Sequence, residues 1–138
     1  MKKLKVLICG DRKWDNIESI YNELLTFDPT TTIIIHGYAD GADLIAHVLA
    51  TEMGFEVDPT PAHWNHKFDR WIEIFGSCSP NCREMCGRPA GAIRNKVMLD
   101  KVPDIVIAFH HDLFKSKGTL NMVNISKKKG IKVRHISK

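Results

Sequence analysis

HGYADGADLIAHVLA, residues 36–50, leads out of a short apolar run at 31–36, TTIIIH, and opens a patterned helix. An apolar run of that length, bounded by turn residues, reads as a buried strand. Leu44, Ile45, Val48, Leu49 and Met53 then recur at helical spacing, and Gly54 stops the helix. Between strand and helix, Gly37 and Gly41 remove side chains where the backbone must bend tightly or approach a ligand. A helix opening at this point presents free N–H groups and the positive end of its dipole, which favour an anion such as phosphate. The spacing is neither the G-x-G-x-x-G dinucleotide fingerprint nor a P-loop with its Lys and Ser/Thr. Two readings of the turn therefore stand side by side: an anion site for a nucleotide-like ligand, or an ordinary βα turn shaped by glycine.

The same strand-then-helix rhythm runs outward in both directions. Residues 4–9, LKVLIC, read as a buried strand. Asp15 and Glu18 resemble a capping pair ahead of the stripe Ile17, Ile20, Tyr21, Leu24 and Leu25. A short strand is predicted at 55–59, a helix at 64–75, an irregular cysteine-bearing insertion at about 76–89, and a helix at about 90–101 marked by Ile93 and Val97. DIVIAF at 104–109 reads as a fourth buried strand, followed by a helix at about 119–129 ending at Gly130, and IKVRHI closes the pattern as a fifth strand. Such alternation predicts a single α/β domain over 1–138, with three layers (α/β/α) and a mainly parallel five-stranded sheet. Ligands of such sheets bind beyond the carboxyl ends of the strands, where the strand order switches. The loops at 10–14, 36–41 and 110–118 should all open there.

A chain of 138 residues is long enough to bury about 68% of its unfolded surface in one core. Hydrophobic residues make up 43% and charged residues 26%, a soluble globular balance. No apolar run approaches the roughly 18 residues of a membrane span, and the opening MKKLKVLICGDRK turns polar too soon for a signal peptide, so a cytoplasmic location is expected. The net charge is +4, with basic residues gathered at Lys2, Lys3 and Lys5 and again at Lys127, Lys128, Lys129, Lys132, Arg134 and Lys138. Those ends suit a polyanion, and equally a solvated edge strand and helix end.

The three loops hold the residues with the most chemistry. After the first strand, Gly10 permits a sharp turn, Arg12 offers a planar fork suited to phosphate, and Trp14 is placed either to stack on a base or to cover the sheet end. After the fourth strand, Ser116-Lys117-Gly118-Thr119 leads into a helix, where the hydroxyls either cap it or hold an anionic group. Arg94 and Asn95, near a small-residue helix start, are placed to project into the same crevice. His36, at a strand end, is a candidate hydrogen-bond partner for a ligand, and His47 reads as structural or solvated; His110 and His111 flank the pocket mouth, either as loop decoration or as phosphate partners at low pH. Asp43 reads as a helix cap or, against a ligand, as a partner for a ribose hydroxyl rather than for phosphate.

Taken together, Gly10-x-Arg12, His36-Gly-x-Ala-x-Gly-Ala-Asp43-x-x-Ala, Pro61-Ala-x-Trp64, Ala90-Gly-x-Ile-Arg94-Asn95-x-x-Met98 and Ser116-x-Gly118-Thr119 closely resemble the YspA/YpsA-related branch of the SLOG superfamily. The resemblance spans nearly the whole chain in order and spacing. It implies a Rossmann-like domain that binds a nucleotide, a nucleotide-derived ligand such as one from NAD, or nucleic acid, and that pairs as a homodimer. Residues 39–47 are also similar to the corresponding motif of the DNA-processing protein A family, which binds single-stranded DNA. A more distant similarity links the chain to the Lonely Guy phosphoribohydrolases, whose Gly-Gly-x-Gly-Thr-x-x-Glu motif carries a reactive glutamate. Gly118-Thr119 matches that motif and Arg94 matches the hydrolases' arginine, but Met122 stands at the glutamate position. A thioether is no general base, so N-glycoside cleavage by that route is disfavoured.

Cys78, Cys82 and Cys86 lie four apart in the insertion and depart from the family pattern. With His66 or His63 they make a candidate structural zinc site; reduced thiols and a disulfide are the alternatives. Cys9 reads as a buried strand-end residue. The functional expectation is a domain that binds or senses a nucleotide or NAD-derived ligand, in phage or bacterial nucleotide signalling or conflict. Single-stranded DNA binding and a divergent N-glycoside hydrolase are the competing readings.

Overall fold

The computed structural model describes residues 2–64, 69–77, 87 and 89–138. Five strands, β1 (Leu4–Gly10), β2 (Thr32–His36), β3 (Glu56–Pro59), β4 (Ile105–Phe109) and β5 (Lys132–Ile136), form one sheet in the order β3-β2-β1-β4-β5. Every pairing is parallel. The helices are α1 (Ile17–Leu24), α2 (Ala42–Glu52), α3 (Arg70–Phe75), α4 (Ala90–Asp100) and α5 (Gly118–Lys128), with a 3-10 turn at Leu113–Lys115.

Strand alternation explains the layering. Successive side chains point to opposite faces, and a central parallel strand must be apolar on both. Val6 and Ile8 of β1, with Ile105, Ile107 and Phe109 of β4, pack against Ile20 and Leu24 of α1 and Ala42, Ala46 and Ala50 of α2. Leu7 and Cys9, with Val106 and Ala108, face the other way onto Met98 and Leu99 of α4 and Met122 and Val123 of α5. Both clusters are almost wholly removed from water, at about 1.5–3 kcal/mol per large aliphatic side chain. The result is the expected three-layer Rossmann-like sandwich.

Several local expectations are corrected. Asn16, not Asp15, caps α1, its side chain accepting the Ser19 N–H at 3.1 Å, so Asp15 and Glu18 form no capping pair. Of the α1 stripe only Ile20 and Leu24 enter the core; Ile17, Tyr21 and Leu25 are exposed. In α2 the sheet-facing line is alanine, because small side chains let the helix lie close to the strands, while Val48 faces solvent. In α4 the buried line is Ala90, Asn95, Met98 and Leu99 rather than Ile93 and Val97. Within the helix expected at 64–75, α3 spans Arg70–Phe75, capped by Asp69, whose Oδ1 accepts the Ile72 N–H at 3.0 Å. The basic cluster at Lys127–Lys129 closes α5 at the end of the sheet opposite the ligand rim, where cations complement the helix dipole.

Candidate functional site

Strand order reverses direction at β1, whose carboxyl end is flanked by those of β2 and β4. The loops leaving these three strands enclose a cavity of about 400 Å³. Gly10 and Arg12 line it from the first loop, Asp43 from α2, Arg94 and Asn95 from α4, and Ser116 to Thr119 from the start of α5. Five cations (Arg12, Lys13, Arg94, Lys115, Lys117) face two carboxylates, Asp11 and Asp43, so the cradle is biased towards anions. A second cavity of about 360 Å³ adjoins it, sharing Arg12, Ala39 and Arg94.

Two hydrogen bonds hold Arg94. Its Nη1–H donates to the Gly37 carbonyl at 2.9 Å and its Nε–H to Asn95 Oδ1 at 2.9 Å. Asn95 in turn donates from Nδ2 to the Gly118 carbonyl and to Asn121 Oδ1, both at 3.1 Å, tying α4 to the start of α5. Burial pulls the Arg94 guanidinium below its ordinary pKa, against the attraction of Asp43. Gly37 makes this approach possible, since a Cβ there would sit 2.9 Å from both Arg94 Cζ and Asp43 Oδ2. Asp43 is buried, and its Oδ2 accepts the N–H of Gly37 at 3.0 Å and of Ala39 at 3.4 Å. Desolvation pushes its carboxyl up to about 6, with Arg94 and the two backbone donors pulling against it. Its Oδ1 has no protein hydrogen-bond partner among the described residues, and the side chain lines the first cavity.

The anion reading of the 36–41 turn is corrected by these bonds. The Gly37 and Ala39 N–H groups are taken by Asp43, and the first N–H of α2, at Ala42, donates to the Asp11 carbonyl at 3.1 Å. Gly41 adopts φ +75°, and any side chain there would collide with the backbone of Asp11 and Arg12. This turn is therefore shaped by glycine to dock the β1 loop. The start of α5 is more open: Ser116 Oγ accepts the Thr119 N–H at 3.0 Å as a cap, while Lys117 and Gly118 remain exposed beside the cavity.

Two further candidates leave the site. Trp14 is 2% exposed, edge-on to Phe109, stacked with His111, and its Nε1–H is shared between the Asn16 carbonyl and Ser19 Oγ. It is a core residue that covers the sheet end. His36 is wholly buried: Nδ1 accepts the Tyr38 N–H at 2.9 Å, which leaves Nε2–H to donate to His47 Nδ1 at 2.9 Å. Burial and the neighbouring His47 push its pKa down to about 3, so it is a neutral structural residue rather than a ligand partner. Burial also raises the Cys9 thiol well above its ordinary range, as suits a strand-end residue. His63 pairs with Asp69 Oδ2 at 3.1 Å and stacks on Trp71. Cys78, Cys82, Cys86 and His66 lie outside the described residues, and among the described residues no cluster of three or more His, Cys, Asp or Glu is placed to hold a metal.

Some site residues escape the sequence reading. Lys13 and Lys115 line the first cavity, and Tyr38, Trp64 and Arg70 the second; His110, expected at the pocket mouth, also lines the first. Arg70 donates to the Tyr38 carbonyl at 2.6 Å and to Asp40 Oδ1 at 2.5 Å. The signal for Trp64 was its place just beyond the third strand, a further loop on the same rim.

With this geometry in view, relatedness is informative. Residues 4–66 match the YspA, cpYpsA-related SLOG family. No curated protein matches the chain. Among solved structures, the chain superposes on DNA processing protein A (DprA) from Streptococcus pneumoniae with a TM-score of 0.71 at 19% identity, over 96% of this chain and 50% of that one. It superposes on the structural-genomics target TM1055 with a TM-score of 0.58 at 15% identity, over 96% of this chain and 72% of that one. The chain thus spans half the length of the DNA processing protein, and at these identities the likeness is one of fold. No helix among the described residues is long and apolar enough to cross a membrane.

Proposed function

We propose that this chain binds a nucleotide or NAD-derived small molecule, with the phosphate end of the ligand in the first cavity. The convergence of Arg12, Arg94 and the Lys115–Thr119 segment on one cavity at the strand ends carries this reading. Arg12 supplies a fork for phosphate oxygens, Lys115 and Lys117 supply mobile charge, and Asp43 Oδ1 is an acceptor for a ribose hydroxyl. The function this supports is sensing or sequestration in the cytoplasm, in phage or bacterial nucleotide signalling or conflict. The exposed apolar line Ile17, Tyr21 and Leu25 on α1, with Val48 on α2, supports pairing of two copies through these helices.

Calorimetry with ADP-ribose, AMP and adenosine tests the reading. Phosphorylated probes should bind and adenosine should not, and Lys117→Ala, an exposed substitution, should weaken the former. Equal binding of adenosine, or indifference to Lys117, overturns it.

A second reading is single-stranded DNA binding, favoured by the fold shared with DNA processing protein A and by exposed Phe114 beside Lys115 and Lys117. Salt separates the two: a strand neutralised by several cations loses affinity steeply with ionic strength, a small ligand much less.

A further inference from the structure

The second cavity remains without a role once phosphate is assigned to the first. Its wall carries Trp64, a residue that is 41% exposed. The backbone of Trp64 is tied by one hydrogen bond, and its ring lies over a glycine. The Trp64 carbonyl accepts the Gly87 N–H at 3.0 Å, and the indole Cη2 lies 3.2 Å from where a Gly91 side chain would begin. An exposed indole on a cavity wall offers a flat apolar face to a planar ligand. The guanidinium of Arg12 stands 5.5 Å from the ring centroid, within cation–π range but beyond tight stacking. Arg12 also lines the phosphate cavity, so one side chain reaches both lobes.

We propose that the second cavity is a ring-stacking subsite in which Trp64 receives the planar heterocycle of the same phosphorylated ligand. This rests on the nucleotide reading above. Two features support it: every nucleobase has a π-face that an indole can stack against, and about 360 Å³ lies within the size range of small-molecule pockets. The incoming ring takes the place of the Arg12 guanidinium over Trp64, and the released guanidinium turns to the phosphate. Ala39 lines both lobes and donates its N–H to Asp43 of the first, so the ribose of a nucleotide would fall beside Asp43. The ligand class is therefore bipartite: at least one phosphate, a sugar and a flat ring.

The test compares AMP with ribose 5-phosphate, which keeps the phosphate and sugar but lacks the ring. In the unaltered protein AMP should bind about tenfold or more tighter than ribose 5-phosphate. It should also quench tryptophan emission, which ribose 5-phosphate should not. Trp64→Leu should erase the quench and bring AMP affinity down to that of ribose 5-phosphate measured in the same variant. Trp64→Phe should restore much of the advantage. An AMP advantage that survives Trp64→Leu overturns the subsite but leaves the phosphate site standing. Failure of both probes to bind overturns the subsite together with the nucleotide reading.

Discussion

Arg94 donates its Nη1–H to the Gly37 carbonyl at 2.9 Å, joining α4 to the loop after β2 across 57 positions of sequence. The contact exists because Gly37 has no side chain: a methyl there would meet both the guanidinium carbon of Arg94 and Asp43 Oδ2 at 2.9 Å. Gly37→Ala should therefore push Arg94 off its carbonyl and tilt it out of the shared wall of the two cavities. A hydrogen bond to a charged group contributes about 1.5–3 kcal/mol, so ADP-ribose affinity should fall roughly ten- to a hundredfold in calorimetry. Full affinity in the variant would show that the ligand does not depend on Arg94 held at this position.

Buried His36, hydrogen-bonded to His47, sets a pH dependence of stability. The folded-state pKa of His36, about 3, lies below its ordinary 6.5. The folded protein thus binds fewer protons than the unfolded chain in that interval. The stabilisation is fully present above pH 6.5 and is lost as pH falls towards 3. Its full size is roughly 4–5 kcal/mol. Asp43 acts with the opposite sign. Its pKa is raised from 3.8 to about 6, so its ionisation costs stability that is regained as pH falls from 6 to 3.8. Asn at position 36 keeps an acceptor for the Tyr38 N–H but does not titrate. The stability margin of the unaltered protein over His36→Asn should narrow by about 1.4 kcal/mol per pH unit below 6.5 in denaturant melts. A constant margin from pH 7 to 4 would rule out the neutral buried imidazole.

The layered fold was legible because burial on both sheet faces demands apolar strands, and LKVLIC, TTIIIH and DIVIAF show it openly. Which helical residues meet the sheet was less legible. On α2 the close approach selects alanines, so the larger Leu44, Ile45 and Leu49 fall to the sides, partly buried. The convergence of Arg12, Arg94 and Ser116–Thr119 was readable from their places after the first and fourth strands and near a helix start. The fates of Trp14 and Trp64 were not. Both follow strand ends, and only the packing of Trp14 on Phe109 and His111 separates a core ring from a cavity wall. Similarly, glycine near a helix start suggested free N–H groups, yet Asp43, six residues on, claims the N–H of Gly37.

Asp43 also predicts a pH dependence of binding. Below about pH 6 in the free protein the carboxyl is protonated, and Oδ1 is then no longer a pure acceptor for a ribose hydroxyl. Affinity should rise as pH increases from 5 to 7, and Asp43→Asn should flatten that rise. ADP-ribose is the suitable probe, because neither of its phosphates titrates near pH 6, unlike the monoester of AMP. Calorimetry across this range checks it, and a flat profile in the unaltered protein would remove Asp43 from ribose recognition.

Met122 tests whether the fold can be returned to N-glycoside cleavage. The hydrolases that this chain distantly resembles place a glutamate at the matching position, but Met122 is wholly buried on the sheet-facing side of α5, in the cluster that holds Leu7, Met98 and Val123, and is not on the cavity wall. A carboxylate introduced into that apolar cluster must either remain protonated or break the packing. Met122→Glu should therefore lower stability by several kcal/mol, on the order of other unpaired polar groups placed in cores. It should also release no free base from AMP, since an acid under the helix cannot reach a ribose in the cavity. Base release by this variant, absent from the unaltered protein, would show that the α5 start can present a carboxylate to the ligand after all.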